Sequence, residues 1–234
     1  MQSTYRHALI IGAGTGLSAS LARLFAIKGL RVSLASRGTG DLSALAAETG
    51  ATLHGCDAAA RSSIDALFAA LDGEGAPDVV VYNPSSRVRG PFIELDAAAV
   101  EMAVQITALG AFHAAQEAVR RMLPNRHGAI LFTGASAGVK GYPQSASFAM
   151  GKFAMRGLAQ SMARELHPQG IHIGHFVIDG GIRNAARPGR VDAPDNPDSM
   201  LDPDAIARSY WHFLEQDRSS WAWEIELRPW VERF

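Results

Sequence analysis

Short, nearly continuous apolar runs alternate along this chain with segments whose apolar residues recur at helical spacing. Residues 7–12 (HALIIG), 31–36 (RVSLAS), 51–56 (ATLHGC), 78–82 (DVVVY), 128–134 (GAILFTG) and 171–178 (IHIGHFVI) are runs of the first kind. Their length and lack of polar alternation predict strands buried on both faces. Between them, Leu17, Leu21, Leu24 and Phe25 share one helical face, and Ile64, Leu67, Phe68 and Leu71 fall at i, i+3, i+4 and i+7. Further helices are expected over 42–49, over 97–122 with a stop near Pro124, over 145–167 with a stop at Pro168, and over 203–216. Trp221, Trp223, Ile225 and Leu227 alternate with polar or small residues and predict a half-buried seventh strand. Residues 184–203 are rich in Pro, Asp, Arg and Asn without a period, and are expected to form a lid loop. Regular β-α alternation over 1–234 predicts one domain: a Rossmann-like, doubly wound α/β fold, with a parallel sheet of about seven strands and helices on both faces.

Composition changes this picture only by narrowing it. The 234 residues are 47% hydrophobic and carry a formal net charge of -1, which offers no global attraction to nucleic acid or to a membrane surface. Cys56 stands alone, so no intrachain disulfide can form. The apolar run near the N-terminus is too short for a signal peptide or a membrane span. A cytoplasmic protein without nucleic-acid or membrane partners is the expectation. The eight histidines show no metal-site spacing; His172 and His175, three apart on a strand, should face opposite sides, and structural or solvated roles are expected for all eight.

The turn after the first strand reads IGAGTGLSAS. Gly12 and Gly16, with Thr15 and Leu17 between and beside them, suit a backbone that turns tightly and approaches a pyrophosphate at a helix N-terminus. The spacing is closer to GxxxGxG than to GxGxxG, with Ser18 at the final glycine position. A strand–helix turn without any ligand would read the same. The second strand ends ASRGTG. No acid stands at Ser36 to accept from a ribose 2′-OH, whereas Arg37 is placed to meet a 2′-phosphate, which favours NADP(H) over NAD(H). A solvated loop arginine is the alternative.

Taken in order, these motifs resemble the short-chain dehydrogenase/reductase family over nearly the whole chain. GAGTGLS resembles its glycine-rich loop. CDA at 56–58 resembles the segment whose Asp contacts adenine, implicating Asp57 and Ala58. YNPSS at 82–86 resembles Asn-Asn-Ala-Gly and keeps Asn83. ARELHPQGIHI at 163–173 resembles the stretch after the active-site helix, and VIDGGI at 177–182 the Pro-Gly motif that carries the nicotinamide amide, implicating Gly180 and Ile182, with Asp179 replacing Pro.

The resemblance also carries a catalytic Asn, Ser, Tyr and Lys onto this chain. They fall on Thr107, Ala135, Phe148 and Lys152, so that only Lys152 keeps the family's residue. The Tyr hydroxyl would exchange the carbonyl proton, the Ser would polarise the substrate oxygen, and the Lys would tune the Tyr and bind the nicotinamide ribose. General acid–base help of this kind is worth roughly 10²–10⁴-fold. Tyr142, in GYPQSAS, is a possible substitute donor, and Thr107 with Lys152 a possible water holder; a packing or interface role for Tyr142 and a space-filling role for Thr107 are the more ordinary readings. Ser147 should point about 100° away from Phe148 on the helix.

Two readings follow. One is an NADP-dependent oxidoreductase acting on a small carbonyl, enone or imine, with a nonstandard proton donor. The other is a nucleotide-binding protein without turnover, acting as a sensor or partner subunit; a non-redox step in the same fold is a lesser alternative. Arg87, Arg89, Arg183, Arg187 and Arg190 hint at an anionic substrate, and solvated loop arginines explain them about as well. The resemblance further implies a homodimer or homotetramer that pairs the 97–122 and 145–167 helices, whose Ala103, Ala111, Ala114, Ala115, Ala149, Gly151, Ala154 and Gly157 would permit close approach. The segment ending LRPWVERF is a second candidate surface.

Overall fold

The computed structural model describes residues 4–232; Met1–Ser3 of the N-terminal run and Arg233–Phe234 of the terminal surface lie outside the described residues. Seven strands form one sheet: β1 (His7–Ile11), β2 (Arg31–Ser36), β3 (Thr52–Gly55), β4 (Val79–Tyr82), β5 (Gly128–Thr133), β6 (Ile171–Ile178) and β7 (Glu224–Leu227). Their order is β3-β2-β1-β4-β5-β6-β7, and every pairing is parallel. The order reverses between β1 and β4, which opens a crevice at the carboxyl ends of the strands.

The helices are α1 (Leu17–Ile27), α2 (Ser43–Thr49), α3 (Arg61–Glu74), α4 (Ala97–Val104), α5 (Gly110–Met122), α6 (Ala146–Leu166) and α7 (Pro203–Leu214). On one face of the sheet Leu21 and Phe25 of α1 and Tyr210 and Phe213 of α7 pack with Ile10, Leu34 and Phe176. On the other, Ile64 and Phe68 of α3, Ala114 of α5 and Met155 and Ala159 of α6 pack with Leu9, Val80 and Ile130. Covering both faces is why β1, β4, β5 and β6 are buried at every position and show no alternation. His172 is stacked between Phe213 and Trp221, and His175 bonds Glu224 through Nδ1 at 2.9 Å.

Three elements differ from their predicted form. The helix expected over 97–122 contains a π turn at Gln105–Leu109 between α4 and α5. Gly110 sets it: a Cβ there would stand 2.3 Å from both the Ala58 carbonyl oxygen and the Tyr82 hydroxyl. The Tyr82 hydroxyl donates to the Ile106 carbonyl, and Gln105 donates to the Ala59 carbonyl at 3.1 Å. The seventh strand begins only at Glu224, because Trp221 leaves the sheet edge to stack on the His172 ring, 4.2 Å between centroids. Lastly, Ala103, Ala111, Ala114, Ala115 and Gly151 are consumed by the chain's own packing. Ala154 and Gly157 stay exposed on α6, and the outer faces of these helices also present larger side chains: Met102, Leu109, Phe112, Met150 and Phe153 are 42–54% exposed. By length and composition alone Ala97–Asn125 would pass for a membrane span; in this fold α4 packs on α6 and α5 on α3.

Candidate functional site

The crevice is a cavity of about 1000 Å³ that runs from the β1–α1 turn to the start of α6. At its first end the chain has little choice of backbone. Gly12 has φ +78°, and a Cβ on it would lie 2.7 Å from the Pro84 nitrogen. Ser18, at the position where the motif has glycine, acts as a staple: its hydroxyl donates to the Gly12 carbonyl at 3.2 Å and accepts from the Asn83 amide at 2.8 Å. Gly16 caps α1 without a side-chain bond, so no side chain of its own competes for the first N–H groups of that helix. Gly12, Gly16, Leu17 and Asn83 line the cavity. Thr15 does not: it is exposed at the tip of the turn, because the tight Gly12 conformation throws it outward.

Beyond this turn the cavity reaches Ser36, Arg37 and Gly38 after β2, and Cys56, Asp57 and Ala58 after β3. The Ser36 hydroxyl donates to the Gly38 carbonyl, which shapes the loop. Asp57 uses Oδ1 to accept from the Ala59 N–H at 2.9 Å. A short helical turn at Gly40–Leu42 also brings Asp41 to this end. An acid is thus present near Arg37 after all, five residues beyond the strand end that lacked one.

At the second end stands Lys152. It is buried, its ammonium donates to the Thr133 carbonyl at 2.6 Å, and burial pushes it down to about 7. Its nitrogen lies 5.8 Å from the centre of the Phe148 ring. Ala135 lines the cavity and, like Phe148, offers no side-chain proton. Thr107 does not reach the cavity. It is fully buried in the π turn, its hydroxyl accepts from the Ser86 N–H at 3.1 Å, and its Cβ packs on Gly151. Thr107 therefore positions the 84–88 loop, which corrects the water-holding role considered above. Ser147 bonds both the N–H and the carbonyl of Val88, at 2.9 and 3.1 Å, and is likewise turned away.

Hydroxyls do reach this end from another segment. Tyr142 donates to the Ser136 hydroxyl at 2.9 Å, and both line the cavity with Phe148. The Lys140 ammonium lies 5.7 Å from the centre of the Tyr142 ring and 3.5 Å from the Asp179 carboxylate. Tyr142 and Asp179 beside it hold that ammonium above its ordinary value. Asp179 also lies 3.9 Å from Arg228 and is itself buried. Gly180 (φ +150°) and Ile182 complete the wall, and Ile182 bridges to Leu201. The 184–203 loop is tied at its root: Arg183 pairs with Asp192 at 2.9 Å and Asp202 at 3.4 Å, and the Asn184 N–H donates to the Arg190 carbonyl. Asn184 reaches over the α1 cap, within 3.2 Å of where a Gly16 Cβ would stand. Neither Asn184 nor Asp41 carried a sequence signal, because both arrive by folding of aperiodic segments.

A sequence profile of the short chain dehydrogenase family matches residues 6–187. The chain belongs to that family, a family of NAD(P)-dependent oxidoreductases. It is 33% identical to the cyclic-di-GMP-binding biofilm dispersal mediator protein of Escherichia coli (strain K12), covering 83% of this chain and 76% of that protein. It is 29% identical to the 3-oxoacyl-[acyl-carrier-protein] reductase MabA of Mycobacterium bovis, covering 69% of this chain and 63% of that protein. Among solved structures, a short-chain dehydrogenase from Rhodopseudomonas palustris superposes with a TM-score of 0.82 at 32% identity, over 96% of this chain and 99% of that one. A metagenomic short-chain oxidoreductase in complex with NADP superposes with a TM-score of 0.84 at 23% identity, over 99% and 100%.

Proposed function

We propose that this protein is a cytoplasmic, NADP-dependent oxidoreductase for a small carbonyl, enone or imine substrate, in which the proton comes from the Tyr142–Ser136 pair and not from the Phe148 position. The observation that carries this reading is the single cavity joining the Gly12–Gly16 turn and Arg37 at one end to Lys152, Tyr142 and Ser136 at the other. The residues fit a dinucleotide. Gly12 leaves no room for a side chain, the α1 terminus has no side-chain cap, and Arg37 has no ion pair among the described residues. Gly12, Gly16 and Leu17 would hold the pyrophosphate, Arg37 the 2′-phosphate, Asp57 the adenine, and Lys152 the nicotinamide ribose. The nicotinamide supplies or accepts the hydride when bound. The rest is this chain's work. As the substrate carbon gains hydride, its oxygen or nitrogen gains a proton from Tyr142, which solvent reprotonates because Tyr142 is 39% exposed. Lys140 stabilises the phenolate formed meanwhile, and Ser136 orients the phenol.

A second reading is favoured by one observation: Arg87 covers the Phe148 ring, at 5.0 Å, where a donor would otherwise stand. In that reading the protein binds a nucleotide without turnover, as a sensor or partner subunit; the E. coli relative is named for binding a cyclic dinucleotide. Calorimetric titration with NADPH and NADH, followed by NADPH oxidation over a carbonyl, enone and imine panel, separates the two. Turnover that Lys152→Ala abolishes supports the first. Binding without turnover, with weak carbonyl reduction created by Ala135→Ser and Phe148→Tyr together, supports the second. Binding of neither nucleotide removes both.

A further inference from the structure

The proposed hydride transfer leaves one part of the cavity without a task. Arg87, from the loop after β4, lines it beside Phe148, and Arg187 and Arg190, from the 184–203 loop, line the same cavity. Arg23, Arg61, Arg121, Arg156 and Arg183 each pair with a carboxylate. Among the described residues Arg87, Arg89, Arg187 and Arg190 have no such partner. Arg87 is nonetheless held in place. Its Nε and Nη2 both donate to the Ser145 hydroxyl, the former at 3.0 Å, and its guanidinium sits 5.0 Å from the centre of the Phe148 ring. Burial, then Arg89 and Arg190, lower its pKa, so Arg87 sits in the field of both other cations. Arg190 is exposed at the cavity wall and lays its guanidinium over Gly181, where a Cβ would meet its Nη1 at 2.8 Å.

Converging cations without a counter-charge repel one another, and the arrangement is relieved by an anion of matching shape. The forked guanidinium suits carboxylate and phosphate oxygens in pairs. The cofactor's 2′-phosphate does not account for this cluster, because Arg37 stands at the far end of the cavity, after β2. We infer that Arg87, Arg187 and Arg190, which all line the cavity, grip an oxyanion, carboxylate or phosphate, carried by the substrate beside Phe148. Calling that molecule a substrate rests on the hydride-transfer reading; the anion site itself does not.

Matched probes test it. Acetoacetate is compared with methyl acetoacetate, and dihydroxyacetone phosphate with dihydroxyacetone, by calorimetric titration of the full chain with and without saturating NADPH. The charged member of at least one pair should bind about tenfold more tightly than its neutral partner. Arg190→Gln, which alters only an exposed loop side chain, should erase most of that preference, as should Arg87→Gln and Arg187→Gln. Arg208→Gln, an exposed position on α7, should leave it unchanged. A preference confined to one pair identifies the oxyanion as carboxylate or phosphate. Equal affinity within both pairs, a preference surviving all three variants, or no binding of either charged probe overturns the inference. A charge preference in a protein that neither binds nor oxidises NADPH would leave the anion site standing and remove the oxidoreductase reading. Turnover of neutral probes alone would do the reverse.

Discussion

The β1–α1 turn and the start of α6 face each other across one cavity, and they depart from their family's pattern in opposite ways. At the turn, Ser18 replaces a glycine, yet it restores order by bonding Gly12 and Asn83. Across from it, Phe148 at the start of α6 and Ala135 just after β5 stand where the resemblance puts hydroxyls, and neither side chain has one. In the mechanism proposed above, the hydroxyls come instead from the 136–142 segment, where Tyr142 bonds Ser136. A backbone cradle can absorb a substitution because its geometry is shared among many bonds. A proton donor cannot, because one oxygen at one place does the work.

The largest break in this comparison should come from the turn. Gly12→Val meets both a positive φ and the Pro84 nitrogen at 2.7 Å. It should abolish measurable nucleotide binding by calorimetry and cost about 1–3 kcal/mol in denaturant unfolding. Lys152→Met comes next, with NADPH-dependent turnover falling about 100-fold or more. The wild-type pH–rate profile should inflect near 7, where buried Lys152 loses its proton, and the variant's should not. In the unfolded chain that lysine stays charged to about 10.4. The unfolded state therefore binds the extra proton between these values, and this group's contribution to stability rises with pH across that window. Tyr142→Phe should lower kcat by about tenfold to 100-fold while leaving NADPH affinity unchanged, which assigns the proton to the displaced pair; an unchanged kcat would return it to water. Arg37→Asp should shift the NADPH-to-NADH affinity ratio by about tenfold toward NADH, and Asp41→Ala should move it the other way. The smallest effect on either half is expected from Phe153→Lys on the outer face of α6. We propose that this face pairs with a second copy; sedimentation should show a lighter species with the cavity's nucleotide affinity intact.

Much of the scaffold was legible because burial on both faces writes itself into composition. HALII and IHIGHFVI carry no alternation, so they read as central strands, and the sheet contains them as such. The edge strand was read three residues too long, since Trp221 and Trp223 alternate as a strand would while Trp221 stacks on a histidine. The π turn was invisible: it needs Gly110 against Ala58 and Tyr82, residues far apart in the chain. Thr107 and Thr15 were placed in the site by motif position, and the fold turned one into the core and the other to solvent. Asp41 and Asn184 had no periodic or motif signal at all.

Residue order alone carries the individual strand runs and the glycine turn, because each depends on neighbours only a few positions away, while the reading of Phe148 and Ala135 as lost hydroxyls rests on the resemblance to the family. Which hydroxyl faces the cavity, which arginines converge without a carboxylate, and how Lys152 is stripped of water were decided by packing between segments distant in sequence. Charge and proton affinity answer to what surrounds a group in space, and that surrounding exists only once the sheet has brought its loops to one end.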